Sequence, residues 1–308
     1  MKPILSIICA IKYGSKYVED NIASIINQSY KNFEYIIVDG GCTDDSIEKI
    51  KSFNDPRIKI IKKEDNHTYM AYSHGLRFAQ GKFVIITTIT DGFIDKHWFS
   101  KCVNRLESNE KLSAVFGMSV NMDYKGNLRK IDQDDFVIKT LPIKEKLLPF
   151  YLATNYPLPE LNICITKKIY KKIFGPYDSP ELPKYEAFQY SYYKLITSGY
   201  LIDFIPTIAN FGRDHNDSIT DKIIRTKKWP YKNFEYLRNK FIINFIFKKF
   251  IFIDSNQIEV SSIGFLKRLY FISLILYYKL TRKTYSEKFR IFDFYNHLYR
   301  VIIKLRKI

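Results

Sequence analysis

Over residues 1 to about 90, short apolar runs alternate with stretches whose apolar residues recur every three or four positions. Ile4–Ala10, Glu34–Val38, Arg57–Ile61 and Phe83–Thr88 are of the first kind; Tyr17–Gln28, Asp44–Phe53 and Tyr69–Ala79 are of the second. The first have the length of buried strands. The second carry one apolar stripe, as Val18, Ile22, Ile25 and Ile26 do, and predict helices. With connections this short, the expected solution is a mostly parallel sheet with right-handed crossovers, an α/β fold. Further on, His97–Glu107 predicts a helix that buries Trp98, Phe99 and Cys102, and Leu112–Val120 and Asn121–Arg129 predict paired strands turning at Gly126-Asn127. Residues 131–160 carry five acids and four prolines with little period, which reads as a long loop region beside a site. Ile163–Phe174 and Tyr185–Ser198 predict helices, Leu201–Ile205 a final short strand, and the pattern from Lys222 onward is helical throughout.

The chemistry gathers where the second apolar run stops. Tyr35 to Val38 ends in Asp39-Gly40-Gly41, Thr43 and Asp44 give a capping signal, and Ile47, Ile50 and Phe53 follow at helical spacing. That is strand, tight turn and helix N-terminus. It puts Asp39 at the carboxyl end of a strand, where open α/β sheets bind their ligands. The glycines let backbone N–H groups approach a bound molecule closely. A carboxylate there can accept hydrogen bonds from a nucleobase N–H or a ribose hydroxyl. A plain turn with a capping acid is the competing reading.

The stretch Ile22-Ala-Ser-Ile-Ile-Asn-Gln-Ser-Tyr-Lys-Asn-Phe-Glu-Tyr-Ile-Ile-Val-Asp39-Gly-Gly-Cys-Thr-Asp resembles, without a gap, the N-terminal unit of the family 2 glycosyltransferases, which have the GT-A fold. The resemblance extends to about residue 218 and is strongest over 4–46. It implies transfer of a sugar from a nucleotide-sugar donor, with the nucleotide held by Cys9, Ala10 and Ile11 at the end of the first strand and by Asp39, Gly41 and Asp65. The family's usual Pro-Thr-Tyr-Asn-like stretch is replaced by Ala10, Ile11, Lys12 and Tyr13, which preserves only backbone contacts. These enzymes usually chelate Mg²⁺ or Mn²⁺ through an Asp-x-Asp after the fourth strand, a hard cation that bridges the two phosphates. The aligned positions here are Thr88, Thr90 and Asp91. The resemblance therefore implies a weakly held metal at Asp91, with His215 of Arg213-Asp-His215 against the diphosphate. Asp91 also reads as a turn acid, and His215 as a solvated loop residue. The general base expected near the start of a later helix is replaced by Lys184, leaving Glu186 and Glu181 as the nearest carboxylates. Each of these also reads as an ordinary first-turn acid.

Charge divides the chain in two. Residues 222–308 hold 20 of the 49 Lys+Arg and 5 of the 32 Asp+Glu, so nearly all of the net +17 lies there. The expected domains are a GT-A unit over 1–221 and a basic, aromatic-rich helical region over 222–308. Runs such as Phe241-Ile-Ile-Asn-Phe-Ile-Phe-Lys-Lys suit an anionic bilayer surface; a packed appendage or a homodimer contact are the competing readings. The apolar content argues against nucleic acid. Cys9, Cys42, Cys102 and Cys164 are widely spaced, as free thiols in a reducing compartment are. Ile4–Ile11 makes a better first strand than a signal peptide, and no apolar run reaches membrane-spanning length. The expected place is cytoplasmic, peripheral on the inner face of the membrane. The expected acceptor is a lipid-linked or surface glycan. The alternative is a non-catalytic GT-A module that binds a nucleotide sugar or scaffolds a partner enzyme.

Overall fold

The computed structural model describes residues 2–63, 68–131, 148, 151–152, 158, 161–174, 187–215 and 232–281. The predicted opening is present: β1 (Leu5–Ile11), α1 (Val18–Ile26), β2 (Phe33–Asp39), α2 (Ser46–Ser52), β3 (Ile58–Lys62), α3 (Thr68–Phe78) and β4 (Phe83–Thr88). After it come β5 (Gly92–Phe93), α4 (Trp98–Glu107), β6 (Ala114–Met122), β7 (Leu128–Ile131), β8 (Cys164–Thr166), α5 (Lys167–Phe174), α6 (Ala187–Thr197) and β9 (Ile202–Arg213). The main sheet has the order β3-β2-β1-β4-β8-β6-β9-β5, with β7 paired to β6. β1 to β4 are mutually parallel where they pair, as are β6 and β9; β8, β5 and β7 pair antiparallel. Strands β1, β2 and β4 are buried along nearly their whole length, which explains why they read as unbroken apolar runs.

The sequence pattern misled at four places. Ile163–Phe174 is not one helix: Cys164–Thr166 fill the gap between β4 and β6 as β8, and the helix starts at Lys167. Three residues are too few to display a period of two. The last strand is twelve residues rather than five, and it runs past Pro206. The register jumps from Phe116↔Phe204 to Met118↔Ile208, so Pro206 lies in a bulge where the ladder needs no N–H. The β6–β7 hairpin turns through Gly126-Asn127 as expected, but β6 runs on to Met122 instead of stopping at Val120, and Asp123 ends it by accepting hydrogen bonds from the N–H groups of Lys125 and Asn127.

The fourth place is the C-terminal region, which is not all helix. Between α7 (Lys232–Phe247) and α8 (Phe265–Thr281) lies an antiparallel hairpin, β10 (Phe250–Ile253) and β11 (Glu259–Ile263). Asp254 forms its turn by accepting from the N–H groups of Asn256 and Ile258. Phe245, Phe250, Phe252, Ile263 and Phe271 bury one face of this unit. It is joined to the main sheet at Gly199, which has φ +83° and whose carbonyl accepts from Ile253 N at 2.9 Å. A Cβ at Gly199 would collide with the Ile251 carbonyl.

Candidate active site

The parallel register brings four strand ends level. Ile11 lies beside Asp39, Asp39 beside Lys62, and Ala10 beside Thr88. The Gly40 N–H donates to the Ile11 carbonyl at 2.7 Å, and the Lys63 N–H to the Asp39 carbonyl at 2.8 Å. Asp39 Oδ1 accepts from the N–H groups of Gly41 (3.0 Å) and Cys42 (2.8 Å), which folds the turn back on the carboxylate. Gly41 has φ +91°, a conformation that glycine adopts without strain. The turn N–H groups thus engage Oδ1, and the Cys42 thiol also hydrogen-bonds to this carboxylate. The residue is 9% exposed.

Two loops beside this edge are tied to each other. Gly14 N donates to Asp44 Oδ2 and to Ser46 Oγ, both at 3.2 Å, and Ser15 N donates to the same carboxylate at 3.3 Å. Asp44 is therefore a strap across the β1–α1 loop as well as an acceptor for the first N–H of α2, with Ser46 N on its Oδ1 at 3.3 Å; the residue at the cap position itself is Asp45. Burial works against its charge, yet the Ser46 hydroxyl and the N–H groups of Ser15, Gly14 and Ser46 hold it below the usual carboxylate range. Gly14 packs so closely that a Cβ would meet Ile89 Cγ2 at 2.5 Å.

Asp91 stands at the centre of the third segment. Its Oδ2 accepts from the Thr88 hydroxyl, its Oδ1 accepts from Arg213 N at 2.7 Å, and Thr88 and Thr90 share a hydroxyl contact at 3.0 Å. Burial pushes its pKa up to about 6, against the pull of these donors. Asn21, buried on α1, donates to the carbonyls of Thr88 (2.9 Å) and Asp91 (2.7 Å) and accepts from Tyr35 Oη at 2.5 Å. The Arg213 guanidinium donates to the Thr90 carbonyl and to Asp20, and lies 5.2 Å over the Tyr17 ring, whose other neighbour is the His215 ring at 5.6 Å. Asp91, Arg213 and His215 thus share one corner.

Several expected contributors fall elsewhere. The Cys9 and Ile11 side chains are buried in the sheet core, and burial pushes the Cys9 thiol up to about 12, so neither side chain is presented to a ligand. Ala10 is half-buried and offers its backbone. Asp65, Glu181, Lys184 and Glu186 lie outside the described residues. Among the described residues no group of three or more His, Cys, Asp or Glu is arranged to hold a metal ion. Asp91, with both oxygens engaged by protein donors and a raised pKa, does not fit a protein-held divalent cation. The residues that pattern reading missed are Asn21, Tyr17 and Gly14. Asn21 could have been noticed as the one polar member of the buried α1 stripe of Val18, Ile22 and Ile25.

A family model described as glycosyl transferase family 2 matches residues 6–171. Among curated relatives, an uncharacterized glycosyltransferase of Haemophilus influenzae is 31% identical over 116 residues, 37% of this chain and 36% of its own length. A chondroitin synthase of Escherichia coli is 27% identical over 128 residues, 41% of this chain and 18% of its own length. The chain thus spans well under two thirds of these relatives. Among solved structures, S. aureus TarS in complex with UDP-GlcNAc aligns with a TM-score of 0.60 at 14% identity, over 94% of this chain and 76% of that one. A mannosyltransferase from Pyrobaculum calidifontis in complex with GDP-Man and Mn²⁺ aligns at 0.52 and 12%, over 92% and 88%. At such identities the likeness concerns the fold alone.

Proposed function

The chain belongs to glycosyl transferase family 2, and from that premise we propose that it transfers a sugar from a nucleotide-sugar donor to a lipid-linked or surface-glycan acceptor. The observation that carries this reading is the level edge of β1, β2 and β4, where a nearly buried carboxylate, Asp39, is folded onto a glycine turn at the strand ends. Hydrogen bonds to a charged group in such a site are worth about 1.5–3 kcal/mol. Ile11 of β1 lies beside Asp39, and Ala10, the residue before, pairs with Thr88 on the other side. Glu186 and Glu181 remain the proposed bases for the acceptor hydroxyl, and Asp65 a proposed nucleotide contact. The TarS and mannosyltransferase complexes support a nucleotide-sugar donor, and the chondroitin synthase supports a glycan acceptor.

Metal use follows the same reading in a reduced form. One carboxylate held by Thr88 and Arg213 makes no cage, so a Mg²⁺ or Mn²⁺ would arrive with the diphosphate and be held weakly. Membrane contact is proposed for the C-terminal unit, where Ile243, Phe247, Phe265 and Leu266 are exposed beside Lys248 and Lys249. No helix among the described residues is long and apolar enough to cross a membrane. A homodimer contact through the same face is the alternative use of that surface.

The test is hydrolysis and transfer from UDP-, GDP-, CMP- and dTDP-sugars, with and without Mn²⁺. Turnover of one donor, with a KM that Asp39→Asn raises, is the expected result. The engaged state of Asp91 favours one other reading, a non-catalytic module; nucleotide binding with no turnover of any donor in any metal would establish it.

A further inference from the structure

β1 and β4 are parallel, so the residues that precede both lie together at the amino edge of the sheet. That edge is about 20 Å from Asp39, the length of a six- or seven-residue strand. β8 runs the other way, with Phe83 facing Thr166, and so delivers the first turn of α5 to the same edge. The Lys167 N–H closes the junction by donating to the Lys82 carbonyl at 2.8 Å. The three segments enclose an open groove of about 540 Å³, lined by nine residues of which five are Lys2, Lys82, Lys167, Lys168 and Lys171, and none is acidic.

This arrangement is costly unless something answers it. α5 opens on Lys167 and Lys168 with no acid in its first turn, the reverse of what a helix dipole favours. Lys167 is half-buried with its ammonium on the Ala79 carbonyl, and burial, then the charges of Lys171 and Lys2, hold its pKa below the usual lysine range. Glu34 acts on Lys167 favourably, but its oxygens already accept from Ser6, Lys59 and the Gln80 N–H. Lys168 donates to Asn256 at the tip of the C-terminal hairpin, which fixes one wall. Lys2, Lys82 and Lys171 are exposed around the mouth.

We propose that this groove is an anion site for a phosphate-class ligand, a diphosphate or a phosphodiester headgroup. Compact ammoniums around a cavity suit a multi-oxygen anion approached from several sides. The lining has no aromatic platform for a nucleobase. The site is separate from the Asp39 edge and stands or falls independently of the glycosyl-transfer reading. A bound anion would neutralise the lysine cluster and complement the α5 dipole in one step.

The ligand could be a lipid headgroup or a soluble phosphate, and two arms on the full-length protein separate them. In the first, lysines are acetylated with and without inorganic pyrophosphate and mapped by mass spectrometry. Lys2, Lys82 and Lys171 should be protected at least threefold relative to the exposed Lys111 and Lys125; equal labelling overturns the proposal. In the second, Lys82→Gln/Lys171→Gln is compared with wild type on phosphatidylglycerol-containing and pure phosphatidylcholine vesicles. A fivefold or greater loss on the anionic vesicles, with pyrophosphate protection of Lys2 also lost, supports the site with a headgroup as ligand. Lost protection with unchanged vesicle binding supports it with a soluble phosphate as ligand. Weakened vesicle binding without pyrophosphate protection in the wild type overturns it in favour of diffuse surface charge.

Discussion

The two edges of one sheet handle charge in opposite ways. At the carboxyl edge, Asp39, Asp44 and Asp91 are each gripped by backbone N–H groups or hydroxyls, Asp39 by its own turn, Asp44 by the β1–α1 loop, and Asp91 by Thr88 and the end of β9. At the amino edge, five lysines face a groove with no acid in its lining. The difference follows from parallel topology. Strands that end on one side lead into turns and helix starts whose free N–H groups point at carboxylates, whereas the amino edge receives helix ends, whose carbonyls favour cations, as the Ala79 carbonyl just past α3 does the Lys167 ammonium. The carboxyl groups at the first edge therefore serve the fold as hydrogen-bond acceptors, and charge at the second is available for something outside it.

The strongest way to break this comparison is Asn21→Leu. It removes the donors that hold the Thr88 and Asp91 carbonyls and the acceptor of Tyr35 Oη, all in a buried place. Each stranded polar group costs about 1–3 kcal/mol, so denaturant unfolding should show a loss of about 3–5 kcal/mol. A loss below about 1 kcal/mol would mean that the carboxyl edge is not held this way.

Next comes pH. The Asp91 pKa in the folded chain, about 6, exceeds its ordinary 3.8. Between these values the folded chain holds more protons than the unfolded one, so the stability due to this group is present below 3.8 and lost as pH rises through 6. With about 1.4 kcal/mol per unit, wild type should lose about 2–3 kcal/mol relative to Asp91→Asn between pH 4 and pH 7. Parallel pH profiles of the two proteins would contradict the burial argument.

Asp39→Asn separates turn from ligand. The amide oxygen can still accept from Gly41 and Cys42, so melting should be unchanged, while nucleotide affinity measured by calorimetry falls by about 1.5–3 kcal/mol. Unchanged affinity would remove Asp39 from the donor site.

The smallest expected effect lies at the other edge. Lys82→Gln should raise stability by a few tenths of a kcal/mol at low salt, because it relieves repulsion, and the gain should vanish near 0.5 M salt. A destabilised variant would mean that the lysines there are already paired within the fold.

Much of the donor half was legible because its signals are local. Strand length, helical spacing and the Asp39-Gly40-Gly41 break all lie within one turn or strand, and β1 through α4 form close to where the pattern puts them. What stayed hidden depends on distant partners. Arg213 meets Asp91 across 122 residues, so nothing near Asp91 shows that its Oδ1 is engaged. Asn21 occupies a stripe position that a helical period assigns to an apolar residue. Pro206 signals the end of a strand, and only the bulge opposite Met118 lets β9 continue through it. Cys164–Thr166 become a strand because β4 and β6 leave room for one, a property of the sheet and not of the three residues.

Gly199 bears on how this chain can change over time. The charge content breaks near residue 222, but the seat of the C-terminal hairpin lies earlier, at a backbone conformation that only a residue without a Cβ can take against Ile251. Lysines in the basic region can drift one at a time without disturbing that seat. The seat itself cannot drift, and a recombination event that exchanged the basic region at the charge boundary would inherit its glycine from the other parent. The unit of inheritance is therefore longer than the unit of charge, and a working exchange between relatives would have to carry the segment from Gly199 onward as one piece.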